Sequence, residues 1–172
     1  MIQSNSDKLW LNQDLVQSGI QAFENFSRNL NPKVHLEVCG QVIDFYKGTF
    51  LDGFNLSNAP HFDHWLAQQR HSYEAIYLHA LHDLIEENAS AGNIERAIQL
   101  AQRYLGVDEI DEHIQRRLIE LLAANGNRLE AQRQFERYAH LLKTELNDDP
   151  QPEMIYAYRA ALEKSSAAGL NF

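Results

Sequence analysis

Residues 84–104 read LIEENASAGNIERAIQLAQRY and residues 118–138 read LIELLAANGNRLEAQRQFERY, so the chain repeats itself at an offset of 34 residues. Leu84, Ile85, Gly92, Asn93, Ala97, Ala101, Arg103 and Tyr104 fall on Leu118, Ile119, Gly126, Asn127, Ala131, Phe135, Arg137 and Tyr138. Apolar residues at helical spacing on both sides of a Gly-Asn joint describe two helix-turn-helix units in register. Hairpins of this period stack, because one alone cannot cover its own apolar face. Stacked hairpins serve mainly as binding surfaces, so the repeat predicts an interaction or regulatory module and not an enzyme.

Working outward toward the N-terminus, Ser57-Asn58-Ala59-Pro60 supplies a cap and an early-turn proline, and no proline or glycine follows until Gly92. That pattern predicts one long helix. Stepped at about 100° per residue, its Phe62, Trp65, Leu66, Tyr73, Ile76, Tyr77, Ala80, Leu81 and Leu84 share one broad arc, which is expected to be buried. Two earlier helices are predicted, from a Ser18 cap to Leu30 and from Pro32 to about Lys47, with Gly48 as the stop. Thr49 to Asn55 mixes aromatics with turn formers and reads as an ordered loop whose rings pack onto helices. Further upstream, Leu9-Trp10-Leu11 after a polar Ser4–Asp7 cluster gives a short strand.

Toward the C-terminus, helices are predicted over Ile94–Leu105, Ile110–Asn125 and Leu129–Leu146, the middle one with Ile114, Leu118, Leu121 and Leu122 inward. Asn147-Asp148-Asp149-Pro150-Gln151-Pro152 interrupts the chain, and Asp148 and Asp149 are expected to cap a last helix from Glu153 to about Ala167. Its Ile155, Tyr158 and Leu162 are expected to face inward and close the end of the stack.

Composition narrows the function. The 172 residues carry 24 acidic against 15 basic side chains, a formal charge of -9. That balance opposes direct binding to a phosphate backbone, which depends on Lys and Arg displacing counterions. No stretch reaches the roughly 20 apolar residues that span a bilayer, and the N-terminus lacks the basic and apolar regions of a signal peptide. A cytoplasmic location is the expectation. The single cysteine, Cys39, leaves no internal disulfide or thiolate cluster to form, and beside Val38 and Val42 it reads as a small buried apolar residue.

No glycine-rich phosphate loop, nucleophile elbow or HExxH pair is present, so no catalytic residue and no cofactor is assigned. Five histidines of the long helix, His61, His64, His71, His79 and His82, fall within an arc of roughly 80° opposite the apolar stripe and read as a solvated face. On it, His79 and His82 at i and i+3 are the candidate metal ligands, since neutral imidazoles are common ligands.

Several strings go beyond a generic repeat. Asp44-Phe45-Tyr46-Lys47-Gly48-Thr49-Phe50-Leu51-Asp52-Gly53-Phe54, then Trp65 with Arg70, then the two hairpins, then Leu146–Glu153 with Tyr156, together resemble the bacterial transcriptional activator domain. This is the tetratricopeptide-like helical domain that follows a winged-helix DNA reader in antibiotic regulatory proteins. The resemblance runs from about Gln17 to Leu162. Val107-Asp108-Glu109-Ile110 lacks the proline often found between the hairpins, and Asn147-Asp148 replaces a more usual Leu-Gly pair.

The resemblance implies an all-α, tetratricopeptide-like right-handed superhelix of seven helices with a short β fragment at the N-terminus. Residues 1–16 would be a strand or hairpin remnant, or a linker from an upstream winged-helix domain, and residues 17–168 the activator domain. It implies protein partners, a second copy or RNA polymerase among them, with DNA reached only through that upstream domain. Tyr46, Gly48, Trp65 and Arg70 match recurrent family positions. Trp65 is expected in the core and Arg70 on a buried acid or carbonyl. Tyr104 and Tyr138, equivalent in the two hairpins, are expected between neighbouring helices with their hydroxyls toward a groove. A freestanding scaffold that takes an extended peptide in that groove is the other reading of the same features.

Overall fold

The computed structural model describes residues 2–4, 9–11, 19–26, 32–56 and 58–168. Within them lie a two-stranded ribbon, β1 (Ile2–Ser4) and β2 (Leu9–Leu11), and seven α-helices: α1 (Gly19–Phe26), α2 (Pro32–Phe45), α3 (Pro60–Ser90), α4 (Ile94–Leu105), α5 (Glu112–Ala124), α6 (Arg128–Leu141) and α7 (Pro152–Ala168). The fold is all-α, as the periodicities require. The ribbon is antiparallel with Ile2 opposite Leu11, so the strand expected at Leu9–Leu11 pairs with Ile2–Ser4. The Ser18 cap, the stretch to Leu30 and the expected boundary between residues 16 and 17 lie outside the described residues. No described helix is long and apolar enough to cross a membrane.

The chain contacts divide it into two compact units, residues 1–80 and 81–172. In the first, α1 packs on α2, and Phe23, Phe26, Val38, Cys39, Val42 and Ile43 are buried together with Leu66, Tyr77 and Ala80 of α3. Gly19 allows the close approach of α1 to α2, because a Cβ there would stand 3.1 Å from the Cβ of Phe45. Cys39 is fully buried, as its apolar neighbours predict.

In the second unit α5 is the central helix, packed against α4, α6 and α7. Its Ile114, Leu118, Leu121 and Leu122 are all buried, and the repeat positions Ile85 and Ile119, Ala97 and Ala131, and Tyr104 and Tyr138 are buried in pairs. The Gly-Asn joints are equally alike. Gly92 and Gly126 both adopt φ 80°. Asn93 N–H donates to the Asn88 carbonyl at 2.8 Å, and Asn127 N–H to the Leu122 carbonyl at 2.9 Å. These are two Schellman terminations in which left-handed backbone satisfies carbonyls that the helix end leaves open.

Three expectations are corrected. Ile110 does not begin α5; Asp111 does, as an N-cap whose Oδ1 accepts the Ile114 N–H at 2.9 Å. The segment read as one helix to Leu146 widens after Leu141 into a π-helical turn, Leu142–Leu146, closed by left-handed Asn147. Asp148 and Asp149 do not cap α7. That helix starts at Pro152, with the Gln151 carbonyl accepting the Met154 and Ile155 amides, while Asp149 pairs with Lys143 at 3.2 Å. On α7 the fully buried residue is Met154, one step before the expected Ile155.

Candidate functional site

In the first unit the predicted family positions converge on the loop between α2 and α3. Arg70 donates from Nε to the Phe50 carbonyl at 2.8 Å and from Nη2 to the Leu51 carbonyl at 2.7 Å. A planar guanidinium suits two adjacent acceptors, and the expected carbonyl partners are thus loop carbonyls. Leu51, held at φ 48°, and the Phe54 N–H bonded to its carbonyl at 3.1 Å show how tightly this loop turns. Its rings pack as the sequence predicts: Phe50 lies edge-on to Tyr73 at 5.0 Å and to Trp65 at 6.4 Å, and Phe54 edge-on to Phe62 at 5.6 Å.

Trp65 is not the core residue expected. It packs on Phe62 at 5.5 Å yet keeps 44% of its surface exposed. Leu66, Tyr77, Ala80 and Leu81 are buried, so the buried face is centred toward the Leu81 side of the arc and Trp65 falls at its opposite rim. Exposed with it are Phe45, Leu51, Phe54 and Leu56. Tyr46 stacks on Tyr77 at 4.0 Å with planes 16° apart; burial foremost, then the charges of Glu74 and Tyr77, holds its hydroxyl above the usual phenol range. Gly48, at φ 134°, follows it and helps line a pocket of about 280 Å3 with Phe23, Phe45, Phe50 and Tyr73.

In the second unit the equivalent tyrosines meet adjacent acids at the start of α5. Tyr104 donates to Asp111 Oδ2 at 2.9 Å, and Tyr138 to Glu112 Oε2 at 3.3 Å. Burial first, and the Asp111 hydrogen bond second, lifts Tyr104 well above the usual phenol range. Burial and then Glu112 push Tyr138 up to about 12. The hydroxyls are therefore engaged inside the fold.

Two features escaped the sequence reading. Gln115 and Gln134 are buried where the first hairpin has Leu81 and Leu100. Gln134 Nε2 donates to Gln115 Oε1 at 2.7 Å, Gln115 Nε2 donates to the Glu109 carbonyl at 2.7 Å, and Arg137 donates to Gln134 Oε1. Applying the 34-residue offset to every position would have flagged this polar-for-apolar exchange. The other is Arg117 on α5, which grips both Glu86 oxygens at 2.8 and 2.7 Å; no local pattern announces a pair so distant in sequence.

The histidines have separate neighbours. His79 sets its ring edge-on to Phe26 at 5.2 Å, whereas His82 lies beside His113 of α5 at 5.6 Å. Large apolar side chains stand exposed around the α2–α3 loop. A profile of the bacterial transcriptional activator domain family matches residues 13–162. No curated protein matches the chain.

Proposed function

From the premise that the chain belongs to the bacterial transcriptional activator domain family, we propose that it acts by contact, as a non-catalytic regulatory domain of a cytoplasmic transcription regulator. The observation that carries this reading is the row of large apolar side chains left open around one loop: Phe45, Leu51, Phe54, Leu56 and Trp65. Exposed apolar surface of this kind marks sites of protein contact, and aromatic side chains dominate the energy of such contacts. Arg70 fixes the loop backbone beneath them. A partner therefore meets a surface already in its binding shape and spends little on ordering it. The partner is a protein: a second copy, another domain of the same polypeptide, or the transcription machinery.

The test fuses residues 18–164 behind a heterologous winged-helix DNA reader and measures promoter activation. The fusion is expected to activate above the reader alone. Phe54→Ser with Trp65→Ala is expected to reduce activation at least about tenfold, since loss of two interface aromatics removes more than about 1.4 kcal/mol of binding. Thermal melts of the double variant separate lost contact from lost folding, because Phe54 and Trp65 also pack on Phe62. Full activation by the double variant would eliminate this surface as the contact.

A further inference from the structure

The second unit contains a recess of about 500 Å3 lined by His82, Glu86, His113, Arg116, Arg117 and Glu120. His82 on α3 and His113 on α5 face one another across it, ring centroids 5.6 Å apart and planes inclined by 32°. At that separation one ion placed between the rings is reached from both sides by metal–nitrogen bonds of about 2.0–2.1 Å after small rotations of exposed side chains.

Both imidazoles have a neighbour that prepares a lone pair. Asp83 Oδ1 lies 3.3 Å from His82 Nδ1. A proton on Nδ1 shared with that carboxylate leaves Nε2 unprotonated, the orientation that outer-shell carboxylates impose on metal-binding histidines. His113 Nδ1 accepts from Arg116 Nη2 at 3.2 Å, so it too offers a lone pair, held by an exposed guanidinium that an ion can displace. Arg117 is occupied by Glu86 at 2.7 Å and by Glu120 at 3.5 Å.

We propose that His82 Nε2 and His113 Nδ1 bind one divalent transition ion, with water completing its coordination, and that the ion links α3 to α5. An all-nitrogen protein donor set selects the zinc, nickel and copper class over magnesium or calcium. The ion would join the first helix of one hairpin to the first helix of the next. This inference is independent of the contact function proposed above.

Nickel titrated into the tag-free chain tests it by NMR and calorimetry. Substoichiometric Ni2+ is expected to broaden the ring Cε1–H resonances of His82 and His113 before those of His61, His64 and His71. His82→Ala and His113→Ala should each weaken binding at least about tenfold, and His79→Ala by less than about twofold. Both ligand rings lie at the surface, so neither substitution opens the core, and the resonance broadening is read on the unaltered chain. Broadening of His79 with His82 while His113 stays sharp, equal broadening of all histidines, or unchanged binding in His113→Ala would each overturn the proposal.

Discussion

A phenol that donates to a carboxylate resists losing its proton, and Tyr104 and Tyr138 both do so at the start of α5. Tyr138 moves from 10.0 in the unfolded chain up to about 12, and Tyr104 is raised as well. A raised folded value means that the stabilisation is fully present below pH 10 and is lost as the pH climbs toward 12. Denaturant unfolding across that window should show a steep alkaline loss of stability in the native chain and a shallower one in the Tyr104→Phe, Tyr138→Phe variant. Arg70 acts at the same scale. Arg70→Ala should cost about 1.5–3 kcal/mol, the range for hydrogen bonds to a charged donor, and hydrogen exchange should quicken at the Asp52 and Phe54 amides. Arg70→Lys should recover little, because an ammonium does not reproduce the planar fork across two carbonyls.

Among elements, the two Gly-Asn joints make a matched pair. A Cβ at Gly92 or Gly126 would meet nothing within 4 Å, so the cost of alanine there is that of left-handed backbone alone, about 1–2 kcal/mol. Gly92→Ala and Gly126→Ala should therefore destabilise by similar amounts in denaturant melts. The hairpins differ in their interiors, where Gln115 and Gln134 replace Leu81 and Leu100. Gln115→Leu or Gln134→Leu alone strands a buried amide and should cost about 1–3 kcal/mol, whereas the double change, which rebuilds the apolar pair of the first hairpin, should cost less than the sum. A double-mutant cycle checks this; strict additivity would show that the two amides do not act together.

At the scale of the whole molecule, the chain is a helical domain of the bacterial transcriptional activator domain family. The repeat was legible because helical hairpins write a period into the chain: glycine at each turn, alanine where helices approach, tyrosine at the same register. The period marks the hairpins, while the two earlier helices follow from apolar spacing on either side of Asn31-Pro32 and the last from the break at Asn147–Pro152. Boundaries were less legible, since the caps depend on local competition. Asp111 took the start of α5 because its carboxylate reaches the Ile114 amide, and α7 starts at Pro152, with the Gln151 carbonyl accepting its first amides.

The sequence by itself determined the helical class, the 34-residue repeat and the acidic character, and the family. These are properties of spacing, composition and motif order, all one-dimensional. The partners of long side chains were decided only by tertiary structure: Arg117 with Glu86, Tyr138 with Glu112, His82 beside His113, and Trp65 at the rim of an aromatic surface instead of in the core. Helical angle states which way a residue leaves its own helix; what it meets depends on how neighbouring helices pack, and no period along one chain encodes that.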